Sequence, residues 1–215
     1  GNFQAMHFQI IKSGKFGFFI MLLILLPLCG NIDYVLGLWL VDVPAHTANF
    51  VVLVLLYSLL DGILTPIAIG VFAQGEIKAY EIALCIIYAV NFIASYVCLK
   101  LGMAPETVFV LNIAFKACVL ADLLVHSKAK YAFPVHAFLK QCLLPSAVVF
   151  VLSGAFTYFM PWETPNSFWE FLLHTLAIII CTSLMALAIG MTKGERLFLK
   201  KNLRDKITVK LYRKI

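Results

Sequence analysis

Charged residues are scarce in this sequence, and their scarcity excludes most soluble classes of protein. Only 13% of the 215 residues are Asp, Glu, Lys or Arg, whereas 62% are apolar or aromatic. A typical soluble domain has about 25% charged and roughly 45–50% apolar residues. The composition therefore excludes a soluble globule, a disordered tail and a nucleic-acid binder, and nucleic acid is not expected as a partner.

Cysteine pairs and catalytic motifs are also missing. The six cysteines stand singly in apolar stretches, without a CxxC spacing, so we interpret them as small hydrophobic residues. The sequence contains no HExxH, no GxSxG and no phosphate-binding GxxxxGK[ST] motif. We therefore expect neither an enzyme nor a bound cofactor.

Long apolar runs take the place of these motifs. A helix needs roughly 20 apolar residues to cross a bilayer core of about 30 Å. Six stretches satisfy this length and predict an all-α membrane protein with six transmembrane helices in residues 1–191, followed by a basic tail in residues 192–215. The predicted spans are residues 16–40, 47–73, 79–99, 107–127, 141–160 and 168–191.

The basic residues predict the orientation of these spans. Nine of the seventeen Lys and Arg follow residue 192, and the net charge of +6 is therefore concentrated in the tail. All the others except Lys100 and Lys116 flank the same side of the predicted spans. Basic flanks are retained in the cytoplasm, so both termini are expected there. The tail either binds anionic membrane lipids as an amphipathic helix or acts as a plain topology anchor.

Polar residues at membrane depth are the candidate binding groups. Asp61, Asn91 and Lys116 lie within about 3 Å of the predicted midplane, each on a different span. Asn112 shares the face of Lys116, and Asp122 lies further toward the cytoplasm. We predict that these five residues bind substrate or an ion in a shared pocket. A buried ion pair between Asp61 and Lys116 that only fixes helix register is the alternative.

Proline in the second span adds a backbone feature to this prediction. Pro66 cannot donate a hydrogen bond to the carbonyl of Gly62, so an opening of the helix is expected beside Asp61. Broken helices with an ionisable group at the midplane are typical of secondary transporters.

Five segments, taken in order, resemble the C-terminal part of bacterial polysaccharide flippases. These transporters belong to the multidrug/oligosaccharidyl-lipid/polysaccharide exporter superfamily. The segments are LGLWLVDVPAHTANF (36–50), AQGEIKAYE (73–81), LKLGMAPETVFVLNIAF (99–115), FPVHAFLKQCLLP (133–145) and GMTKGER (190–196).

The resemblance implies export of undecaprenyl-diphosphate-linked oligosaccharide across the inner membrane by alternating access. It also implies a fold of 12 to 14 spans in two lobes, of which this chain supplies the C-terminal portion, so a missing N-terminal lobe is an expected partner. The family motif transfers no binding residue to this sequence. The alternatives are an ion-coupled drug antiporter of the same superfamily and a membrane scaffold that transports nothing. A GxxxG motif, which would support a scaffold, is formed neither by Gly14 and Gly17 nor by Gly62 and Gly70.

Overall fold

The protein is an all-helical, multi-pass membrane protein in the residues that its structure describes. The computed structural model describes residues 3–75, 77–159, 165–192 and 194–197, and these contain no strand. Six helices within these residues are long and apolar enough to span a membrane, as predicted. They are α1 (Phe3–Gly30), α3 (Thr47–Phe72), α4 (Ile77–Lys100), α5 (Thr107–Tyr131), α6 (Val135–Phe159) and α7 (Phe168–Gly190), and the short helix α2 (Ile32–Trp39) follows α1.

The first predicted span has different bounds in the structure. Residues 16–40 do not form one helix, because α1 ends at Gly30 and α2 begins at Ile32. A turn at Asn31 separates the two helices, and the Asn31 side chain turns back to donate to the Pro27 carbonyl over 2.9 Å. At its other end α1 begins at Phe3, so Lys12 and Lys15 lie within the helix and not in a flanking loop.

The ends of the other helices follow their local sequences. Gly75 and Gly102 close α3 and α4 with φ of 79°, a left-handed conformation that glycine adopts without a Cβ clash. At the start of α7, Ser167 Oγ accepts a hydrogen bond from the backbone N–H of Glu170. The Glu170 carboxylate in turn accepts one from the backbone N–H of Asn166. Such reciprocal capping satisfies amide groups that have no partner within the helix.

The helices pack in a row, and α6 and α7 complete the bundle around α1. The row runs from α4 to α5, then to α3 and α1, and α6 and α7 pack on α1 and on each other. The basic end of the bundle is the end that carries Lys12, Lys78, Lys128, Lys130 and Lys140. Most of the predicted tail, residue 193 and residues 198–215, lies outside the described residues.

Helix α3 runs unbroken through Pro66, so the predicted opening beside Asp61 does not interrupt the helix. Its backbone instead approaches α1 closely on one face. A Cβ atom on Gly17 would lie 3.1 Å from the carbonyl oxygen of Gly62, the group that Pro66 leaves without its usual helical donor. The two glycines let the helices approach each other, although they form no GxxxG motif.

Candidate functional site

An ion pair between α3 and α5 forms the centre of the candidate site. Lys116 Nζ lies 2.5 Å from Asp61 Oδ1. The two side chains differ in exposure: 7% of the lysine surface is exposed and 42% of the aspartate surface. Burial strengthens the attraction, because charges in a low-dielectric interior are poorly screened. The amine is thus held inside the helix row while its partner carboxylate stands at the surface of the row.

Two tyrosines surround the ammonium group and were not among the predicted site residues. Lys116 Nζ lies 4.1 Å from the centre of the Tyr57 ring, a cation–π distance. Tyr88 of α4 lies near both Tyr57 and Lys116. The spacing of Tyr57 four residues before Asp61 places both on one face of a helix, a sequence signal that could have identified Tyr57.

The two amides pair with each other and not with the ions. The Asn91 side chain donates a hydrogen bond to Asn112 Oδ1, which joins α4 to α5 one helical turn from Lys116. Asn91 is buried, and its own carbonyl oxygen has no hydrogen-bond partner in the described residues. The structure therefore places the predicted acid and amine in contact and the amides in a neighbouring pair.

Asp122 lies apart from this centre, with a partner that the sequence analysis did not identify. Its Oδ1 is 3.1 Å from His126 Nδ1, one helical turn along α5, and the Tyr80 ring of α4 packs edge-on against the histidine. The second carboxylate oxygen of Asp122 is buried without a partner in the described residues. The i, i+4 spacing of Asp122 and His126 is the sequence signal for this pair.

The exposed side of α3 determines how the centre can be reached. Asp61 lies on the same stripe of the helix as Val54, Thr65 and Ile69, all of which are exposed. A carboxylate at this depth is unfavourable against hydrocarbon, and such groups face water or protein. This stripe of α3 is therefore the side from which a polar ligand would reach the ion pair.

No group of three His, Cys, Asp or Glu side chains in the described ranges could hold a metal ion. The site thus consists of an ammonium, a carboxylate, phenol rings and amides, which can bind ions and sugar hydroxyls. No protein-family model, curated protein or solved structure matches this chain.

Proposed function

We propose that this protein is part of a flippase that moves undecaprenyl-diphosphate-linked oligosaccharide across the bacterial inner membrane by alternating access. The Asp61–Lys116 pair at membrane depth is the observation that carries the proposal. Its buried ammonium suits an anionic lipid head group, because a charge in low dielectric attracts a diphosphate strongly.

Asp61 has a distinct role in this proposal. A diphosphate that reaches Lys116 must replace the carboxylate that now lies 2.5 Å from the amine. Because Asp61 is half-exposed, a cation can bind its carboxylate and release the amine for the head group. When the head group leaves, the carboxylate pairs with Lys116 again and keeps the buried ammonium satisfied.

The exposed stripe of α3 supports the expected two-lobe arrangement. Asp61 on that stripe requires water or protein opposite it. An N-terminal lobe facing α3 would enclose a polar cavity with the ion pair on its wall. The same proposal places both termini in the cytoplasm, as the distribution of Lys and Arg predicts.

An ion-coupled drug antiporter is the second candidate, and the difference in exposure favours it. Asp61 is the more accessible member of the pair, so a cationic drug or a coupling ion could bind the carboxylate directly. In that case Lys116 would act as the internal counter-ion that is displaced when the cation binds.

Transport by the complete protein in liposomes distinguishes the two candidates. One set of liposomes carries a fluorescent undecaprenyl-diphosphate oligosaccharide, and its flipping is followed by quenching from one leaflet. A second set measures uptake of a fluorescent cationic drug. For a flippase, Lys116→Ala should lower flipping by about tenfold or more, because one charge-assisted contact is lost.

Lys116→Arg should keep much of the flipping, because the positive charge remains, and Lys100→Ala is the matched control for loss of a lysine elsewhere in the chain. Unchanged flipping in folded Lys116→Ala protein would contradict the proposal. Drug uptake that is lost in Asp61→Asn, without any flipping, would favour the antiporter. If neither cargo moves, both transport functions are contradicted and the membrane scaffold that transports nothing is favoured.

A further inference from the structure

The most deeply buried charged side chain of the described residues belongs to a second ion pair, outside the candidate site. Lys15 of α1 is 1% exposed, and its Nζ lies 2.6 Å from Glu195 Oε2, in the segment that follows α7. Glu195 itself is 12% exposed. A lysine at this burial needs a countercharge, so the pair fixes the segment after α7 against α1.

Glu195 also helps to cap the helical turn at residues 194–197. Its Oε2 accepts a hydrogen bond of 2.7 Å from the Thr192 amide, and Thr192 Oγ1 accepts one of 3.4 Å from the Glu195 amide. This reciprocal pattern is a capping box. Burial raises the pKa of the Glu195 carboxyl, but the hydrogen bonds from Lys15 and Thr192 outweigh it and lower the pKa below its ordinary value. Glu195 is therefore ionised at neutral pH.

Arg196 connects the same turn to the end of α7. Its guanidinium donates to the Ala188 carbonyl over 2.5 Å and to the Met191 carbonyl over 3.0 Å. These carbonyls lie at the end of a helix, where oxygens have no helical donor. The turn at residues 194–197 therefore moves with α7, and the contact between Lys15 and Glu195 is the link from this unit to α1.

Two π-helical turns lie around this link. They are Leu139–Leu143 in α6 and Ala186–Gly190 in α7, both near the basic end. A Cβ atom on Gly14 would lie 3.6 Å from Cys142 Sγ, and one on Gly190 would overlap the Phe19 ring. Both π turns thus pack against the stretch of α1 that includes Lys15. π turns are rare, are frequent at functional sites and are points where helices bend.

We propose that the Lys15–Glu195 pair is a latch that holds the basic ends of α6 and α7 against α1 and releases them when this end of the transporter opens. The latch rests on the proposed function, because alternating access requires each end of the bundle to open in turn. On release, α6 and α7 bend at their π turns, and water enters between them and α1. The separated lysine and glutamate are then hydrated, which compensates for the lost ion pair.

Cys142 reports on this opening without any cargo. Its thiol is fully buried beside Gly14. In the complete protein in liposomes, Cys142 is kept as the only cysteine and N-ethylmaleimide labelling is timed. Glu195→Gln removes the charge but keeps the shape, and it should raise the labelling rate by about tenfold or more, because local opening controls access to a buried group.

Three comparisons make the test specific to the latch. Glu106→Gln, which removes a carboxylate at the opposite end, should leave the Cys142 rate unchanged. Exchange of the charges by Lys15→Glu with Glu195→Lys should return the rate toward that of the unchanged pair. In a matched protein that keeps only Cys29, located near the opposite end of α1, Glu195→Gln should have no effect on labelling.

An unchanged Cys142 rate in Glu195→Gln would overturn the latch. An equal rise at Cys29 would overturn it too, because the whole bundle would then be loosened. Faster Cys142 labelling in a protein that flips no lipid would support the latch and contradict the proposed flippase. Failure of the latch leaves the flipping assay with Lys116→Ala unaffected, so the two proposals fail separately.

Discussion

Two lysine–carboxylate pairs in this protein have the same chemistry but different surroundings. In both, the N–O distance is close to 2.5 Å and the lysine is almost fully buried. The carboxylates differ, because Asp61 is 42% exposed and Glu195 only 12%. A second difference lies in their other partners: the ammonium of Lys116 lies near the Tyr57 ring, whereas Glu195 accepts a backbone hydrogen bond from Thr192.

Exposure of the acid determines what each pair can do. Water or a ligand can compete at Asp61 without any movement of the helices, so the Asp61–Lys116 pair suits binding. Glu195 can be reached only if the segment after α7 leaves α1, so the Lys15–Glu195 pair suits a mechanical role. The α1–α3 contact separates them, since Gly17 follows Lys15 closely in α1 and Gly62 follows Asp61 in α3.

The largest effect should come from truncating the acid of the Lys15–Glu195 pair. Glu195→Ala leaves Lys15 buried without a countercharge and should lower the free energy of unfolding by about 3–5 kcal/mol. Asp61→Ala leaves Lys116 beside an accessible surface, and a loss of about 1 kcal/mol is expected, as for exposed pairs. Unfolding in mixed micelles by titration with a denaturing detergent measures both losses. Equal losses would show that the difference in exposure has no energetic consequence.

A smaller effect is expected at the glycine contact between the pairs. A Cβ atom on Gly17 would lie 3.1 Å from the Gly62 carbonyl oxygen, which belongs to the backbone and cannot rotate away. Gly17→Val should therefore separate α1 from α3 and lower the free energy of unfolding by about 1–3 kcal/mol. Gly37→Val is the matched control, because nothing lies within 4 Å of a Cβ atom there. If both variants unfold alike, close packing of the glycines does not hold the two helices together.

The smallest effect should come from the uncharged pair of Asn91 and Asn112. Side-chain hydrogen bonds between membrane helices contribute about 0.6 kcal/mol on average, because the unfolded state in the membrane also finds partners. A double-mutant cycle with Asn91→Leu and Asn112→Leu measures this coupling in the same micelles. A coupling as large as that of the charged pairs would show that the amides belong to the ionic centre.

Much of the fold was predictable from the apolar runs alone. The six helices follow from run length, since a bilayer requires about 20 apolar residues per crossing. The boundaries were less predictable. Helix α1 begins at Phe3 because a polar, lysine-containing stretch continues the helix, and Lys15 there is neutralised by a residue 180 positions away. A hydropathy average cannot reveal such a partner, because it adds the value of each residue independently of the residues that it contacts.

The contact between Asp61 and Lys116 was predictable from the sequence, but the partners of the other candidate residues were not. Asp61 and Lys116 were expected at one level of the membrane, and the structure brings them into contact. Asn91, at the same level, faces Asn112 across α4 and α5, and Asp122 pairs with His126. Tyr57 and Tyr88 were not identified, since tyrosine in an apolar run is read as hydrophobic until its neighbours are known.

The sequence by itself determined that the described residues include six runs long and apolar enough to cross a membrane, and which polar residues share one level along those runs. These properties depend on composition and on position along a helix, which are local. Only the tertiary structure decided which charges meet and which of them stay accessible. Those properties depend on how each helix is rotated and on how closely α1 and α3 approach, and both are set by packing between residues far apart in the chain.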